Sequence, residues 1–178
     1  AEPSAPETGR VKRALDTMDS SVVRLHGQTG DLLGQWRLQD QRLSLRHMAW
    51  NAPGTVLGIA LQAEHGDPDE RQAAPVLALF DGSTLRPAEA ASSAPSGGLR
   101  GYGGSIAATP EGWAVSCPRA QGIALFGPQG EWQRLVPLRE VCALAVRGTA
   151  LWAAGQDHSL EDARSASARI HPHAPALS

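Results

Sequence analysis

Residues 104–136 read GSIAATPEGWAVSCPRAQGIALFGPQGEWQRLV. Four short apolar segments are separated by the turn sequences PEG, RAQG and GPQG, rich in the residues that adopt turn geometry cheaply. Four short antiparallel strands in a meander make one blade of a β-propeller. Related units lie on both sides. RHMAWNAPGTVLGIALQ (46–62) gives two strands and resumes after an insertion as PVLALFDGSTLRP (75–87). VCALAVRGTALWAAG (141–155) gives two strands more, and the upstream hairpin SVVRLHGQTGDLLGQWRL (21–38) supplies the last two strands of a preceding blade. Self-similarity at this spacing is the mark of a repeat architecture.

The expected fold is therefore all-β: a β-propeller portion of about three and a half four-stranded blades. Residues 1–20 read as an N-terminal extended segment, 21–157 as the blades of a partial ring, and 158–178 as a C-terminal tail with a short helix near 159–168. Two stretches read as loops: EHGDPDERQAA (64–74), long and charged, and EAASSAPSGGL (89–99), of low complexity. Closed propellers have ~4–8 blades, and closure removes free sheet edges. The chain is thus expected to be completed by the upstream half of the propeller or by a second copy of itself, and to be unstable as a monomer.

Bulk properties exclude several classes. The chain has 178 residues, a formal net charge of −2 and 19% charged residues, which does not suit a nucleic-acid binder. No run approaches the ~20 apolar residues of a membrane span, and AEPSAPETGR lacks the basic and apolar regions of a signal peptide. Two cysteines, Cys117 and Cys142, make no disulfide framework. Two free thiols are the favoured reading of this pair, although both are expected near one end of the blades.

Letter the strands of a blade a to d from axis to rim. The d–a and b–c loops then emerge at one end, and the a–b and c–d turns at the other. Arg46 and His47 fall in an a strand, and Glu64, His65 and Asp67 follow a b strand. Arg100, Tyr102 and Ser105 precede an a strand, and Arg119 follows a b strand. Glu140, Cys142, Gln156, Asp157 and His158 map to the same end. The opposite end receives only ordinary turn sequences. A ligand is expected at the first end, with Arg46, His47, Glu64, Asp67, Arg100, Tyr102, Ser105 and Arg119 as candidate binding residues.

These stretches resemble the bacterial domain-of-unknown-function family numbered 1513. The motifs that carry the resemblance are GRVKRALDTMDSS (9–21), LRHMAW (45–50), LQAEHGDPDE followed by PVLAL (61–79), RGYGGSIA (100–107), SCPRAQG (116–122) and EVCALA (140–145). The resemblance implies exported proteins with propellers of about seven blades, of which this chain is a C-terminal half. It also implies a periplasmic location and an association with iron-acquisition proteins. It leaves the activity and any cofactor open.

Each polar cluster has a bland reading beside its functional one. His47, Glu64, His65 and Asp67 suit a metal such as zinc or iron, but lack CxxC or HExxH spacing; hydrogen bonding that fixes the loop is the simpler role. Arg46, Arg100 and Arg119 suit a carboxylate or phosphate, or else tie blades together through Glu64, Asp67 and Glu140. GYGGS (101–105) leads into a strand, whereas a phosphate-cradling loop opens a helix. Ser105, His47 and Asp67 hold the elements of a hydrolytic triad without a GxSxG elbow. His171 and His173 lie in the expected disordered tail. Trp36, Trp50, Trp113, Trp132 and Trp152 are expected to fill the spaces between blades. The resulting expectation is a non-catalytic periplasmic binding or scaffold protein with an Arg-rich channel mouth, for an anionic ligand, a metal complex or a protein partner. The alternative is a metal-dependent lactonase-like hydrolase using the central channel.

Overall fold

The structure is a computed structural model that describes residues 15–88 and 98–173. Its fourteen described strands form four antiparallel sheets, each a meander in chain order. The first is a hairpin of β1 (Ser21–Leu25) and β2 (Leu32–Arg37). The second holds β3 (Leu43–Trp50), β4 (Leu57–Ala63), β5 (Leu77–Phe80) and β6 (Leu85–Pro87). The third holds β7 (Ile106–Thr109), β8 (Gly112–Cys117), β9 (Gly122–Phe126) and β10 (Trp132–Pro137). The fourth holds β11 (Ala143–Arg147), β12 (Ala150–Ala154), β13 (His158–Glu161) and β14 (Arg169–Pro172). Three four-stranded sheets and one two-stranded sheet make the blades of a partial propeller, and the described residues do not close a ring.

Alternation along the middle strands explains why the sheets stack. Side chains of a strand alternate between its faces, and here both faces are apolar. In β8 and β9, Trp113, Val115, Cys117, Ala124 and Phe126 pack with Ala60, Leu77 and Leu79 of the second sheet. The intervening Ala114, Ile123 and Leu125 pack with Leu151, Ala153 and Leu160 of the fourth. In β4 and β5, Ile59, Leu61, Ala78 and Phe80 turn the other way, with Val22 and Trp36 of the hairpin against them. Each large apolar side chain buried in this way contributes about 1.5–3 kcal/mol, so the interfaces between sheets carry the stability.

The structure corrects the reading of the C-terminal stretch. Residues 158–172 form β13 and β14, which complete a fourth blade, and the short helix expected near 159–168 is not formed. The reason is tertiary: Leu160 and Ala163 are buried against the third sheet. The polar residues satisfy one another instead, with Glu161 bonded to Arg169 and to His171 across the β13–β14 pair. His171 also stacks on Trp152 at 5.3 Å. It therefore belongs to a strand, not to a disordered tail.

Two further corrections concern the loop at 64–74 and the tryptophans. The loop contains a short helix, α1 (Pro68–Ala73). Trp113 is buried between blades, but Trp50 is 56% exposed on β3. The low-complexity stretch expected at 89–99 falls mostly on 89–97, outside the described residues, as do residues 1–14 of the N-terminal segment and 174–178.

Candidate functional site

β3, β7 and β11 begin at the end of the sheets where β4, β8 and β12 finish, because the strands pair antiparallel from Leu43↔Ala63, Ile106↔Val115 and Ala143↔Ala154. The candidate residues come from the strand ends and loops gathered there.

A β-bulge sets the first of them. Leu45 pairs with Leu61 and Met48 with Ile59, so Arg46 and His47 together oppose the single residue Ala60. A bulge bends the strand and re-aims its side chains. The Arg46 guanidinium reaches Glu64 at 3.1 Å; the Glu64 side chain is 6% exposed and that of Arg46 is 38% exposed. The buried carboxylate thus holds an arginine that still meets solvent. Nothing in the sequence around 45–48 announces the bulge, since LSLRHMAW does not break its strand character.

Asp67 has a local task. Its carboxylate accepts from the N–H groups of Asp69 at 2.8 Å and Glu70 at 2.9 Å, capping α1, with Pro68 in the first turn. This is the usual N-terminal signature of a helix. Arg71 closes the loop by donating to the His65 carbonyl from Nε at 3.1 Å and Nη2 at 2.5 Å. His65 pairs with Asp40: its Nε2 lies 2.9 Å from the Asp40 carboxylate. Asp40, His65 and Glu70 line an open depression of about 460 Å³ with Ala73 and Ala74. Asp40, which the sequence did not single out, gives that depression an acidic wall unsuited to an anion.

The GYGGS loop continues the second sheet. Beyond the first residue of β5, the Ala63 N–H donates to Gly101 O and the Gly103 N–H to Leu61 O, each at 2.8 Å. Tyr102 bridges to Gln62, whose side-chain amide donates to Gly103 O at 3.1 Å. The glycines fit this close approach of backbone to backbone. Tyr102, so fixed, carries the Arg119 guanidinium 4.4 Å from its ring centroid. Stacking on an aromatic face orients a guanidinium without neutralising it.

Ser105 takes part through its backbone. Its N–H donates to Ser116 Oγ at 2.7 Å, and its carbonyl accepts from the Ser116 N–H at 2.9 Å. Ser116, fully buried on β8, donates from Oγ to the Cys142 carbonyl at 2.9 Å. It ties the third blade to the start of the fourth. The signal in the sequence is a serine amid the apolar run GWAVSC. Ser116→Ala leaves both partners short of a hydrogen bond and is expected to cost about 1–3 kcal/mol, measured by chemical denaturation.

The structure thus joins Arg46 to Glu64 and Tyr102 to Arg119. It does not join Ser105, His47 and Asp67: among the described residues no hydrogen bond links any two of them. Arg100 and His47 are exposed, and their side chains make no hydrogen bond or ion pair to another described residue. No group of three or more His, Cys, Asp or Glu side chains among the described residues is arranged to hold a metal ion.

Both cysteines are free; Cys117 is buried and Cys142 exposed. Burial pushes the Cys117 thiol up to about 12, and the thiolate is the reactive form. At pH 8 the folded chain is expected to react with one equivalent of a thiol-specific disulfide reagent, at Cys142, and the unfolded chain with two. Rapid reaction of both in the folded state would contradict the packing around β8.

The family described as "Protein of unknown function (DUF1513)" matches residues 3–177, and the chain belongs to it. No curated protein matches the chain. No helix among the described residues is long and apolar enough to cross a membrane.

Proposed function

We propose that this member of the family is a non-catalytic binding or scaffold module whose arginine-bearing blade end takes a small anionic ligand, through carboxylate or phosphate oxygens. A free small anion, an anionic metal complex and an acidic group on a protein partner share that chemistry. The observation that carries the reading is Arg119. It is exposed, it is oriented by the Tyr102 ring at 4.4 Å, and it makes no ion pair to another described residue. Arg100, also exposed and unpaired among the described residues, stands two positions from Tyr102. Arg46 is already engaged by Glu64 and contributes less.

Charge-assisted hydrogen bonds are worth about 1.5–3 kcal/mol. Glu140 and Asp157 lie toward the same end and weaken the field, but Asp157 is 3.9 Å from Arg139 and pairs there. A periplasmic setting and a link to iron acquisition belong to the same proposal and rest on family resemblance.

The test is calorimetric titration of phosphate and of citrate into the full chain. Arg119→Ala and Arg100→Ala are each expected to weaken binding about tenfold or more, since ~1.4 kcal/mol is a factor of ten. Both residues are exposed, so thermal unfolding should move little. An absence of saturable binding by the native chain would sink the proposal, as would binding that neither substitution changes.

A further inference from the structure

Each sheet hands the chain to the next through a loop with a shared feature. Leu38-Gln39 follows β2, Leu99-Arg100 lies ahead of β7, and Leu138-Arg139 follows β10. In all three pairs the leucine is buried and the next residue is exposed. The leucines occupy successive contacts between sheets. Leu38 packs between the hairpin and the second sheet, Leu99 between the second and third, and Leu138 between the third and fourth. The backbone agrees at the last two: Gly101 and Glu140, each two positions after its leucine, have φ of 51° and 53°. Arg139 is therefore the counterpart of Arg100, one blade further on.

The two arginine loops meet. The Ser105 N–H donates to Ser116 Oγ at 2.7 Å, and that hydroxyl donates to the Cys142 carbonyl at 2.9 Å. A single oxygen atom thus joins the entries to β7 and β11. The turn that carries Arg119 touches both loops. Its guanidinium lies 4.4 Å from the Tyr102 ring centroid, and Gln121 O accepts from the Leu138 N–H at 3.0 Å.

From there the side chains diverge. Arg119 is held toward the second blade, through Tyr102 and its bridge to Gln62. Arg139 leans toward the fourth, where the Asp157 carboxylate is 3.9 Å away. That distance is too long for a hydrogen bond, and the two side chains are 66% and 59% exposed. An ion pair of this kind is weak and yields to a better partner. In these positions a ligand needs one anionic group for each guanidinium.

We propose that the ligand of this blade end is a small polyanion that spans the third and fourth blades. One anionic group is taken by Arg119 with Arg100, and a second by Arg139, which gives up Asp157. The proposal rests on the anion-binding reading above and specifies its ligand class.

Citrate and pyrophosphate each offer more than one anionic group, and phosphate offers one. In calorimetric titration of the full chain, at least one of the two is expected to bind about tenfold or more tightly than phosphate. Which one it is distinguishes a polycarboxylate from a polyphosphate. Arg139→Ala should raise the dissociation constant of that polyanion about tenfold and leave that of phosphate within about twofold. Arg147→Ala is the control for net charge: Arg147 is exposed at the opposite end of β11, and its loss should change neither. Equal affinity for phosphate and both polyanions would overturn the proposal and leave the anion site in place. So would an Arg139→Ala chain that keeps native affinity for the polyanion or loses phosphate equally, or an Arg147→Ala chain with the same loss. No saturable binding of any of the three would remove the anion site and this proposal together.

Discussion

Trp113→Ala is expected to lower the free energy of unfolding by about 3–5 kcal/mol, the range for emptying a buried aromatic site. Trp113 is 2% exposed and sits between the second and third blades with Phe126, Val115 and Ala60. Its ring lies over Gly58, where a Cβ would come within 2.5 Å of Trp113 Cε3. The neighbouring backbone is thus shaped to the indole and cannot collapse into the space it leaves. The indole N–H also donates to Pro128 O at 3.3 Å. Trp50→Ala provides the contrast: that ring is mostly in solvent, and its loss should fall within about 0.5 kcal/mol. Chemical denaturation of both variants decides the matter. A Trp113 effect no larger than that of Trp50 would mean that the second and third sheets do not pack face to face.

Gly101→Ala is expected to cost roughly 2–5 kcal/mol. Gly101 has a φ of 51°, a left-handed conformation that costs a residue with a side chain about 1–2 kcal/mol. There is no room either. An added Cβ would lie 2.7 Å from the Ala63 Cβ and would press on the Arg71 carbonyl. Overpacking of this kind adds about 1–3 kcal/mol, and it falls on backbone that cannot swing aside. The variant should also weaken anion binding, because Tyr102 and the guanidinium over it depend on the path of the GYGGS loop. Full stability in Gly101→Ala would show that the loop does not run along the end of β4.

The middle strands of the blades were legible in the sequence because they are apolar on both faces and bounded by glycine and proline turns. Segments such as GWAVSC and GIALF leave little choice of structure. β13 and β14 were not legible. HSLE and RIHP are polar, and their partners stand on neighbouring strands, so the stabilising pairs Glu161–Arg169 and Trp152–His171 emerge only once the sheet is assembled. The helix α1 was announced by Asp67-Pro68 with acidic residues after it, yet its charge made the stretch read as a loop.

The candidate site was legible as a list of residues and much less so as a set of contacts. Strand order brings the candidates toward one end of the blades. Strand order does not reveal that a bulge turns Arg46 onto Glu64, that Asp67 is spent on capping a helix, or that His65 turns to Asp40. The pairing of Tyr102 with Arg119 depends on a single bridge to Gln62, a contact across forty residues with no local signature.

Binding at the blade end requires that Arg119 and Arg100 hold the anion while Arg46 remains with Glu64. Nitrogen–proton NMR of the arginine Nε groups, followed through a titration with phosphate, reads each guanidinium separately. Saturable shifts are expected at Arg119 and Arg100, with one common dissociation constant, and little change at Arg46. Small linear drifts shared by all arginines, or a saturable response confined to Arg46, would contradict it.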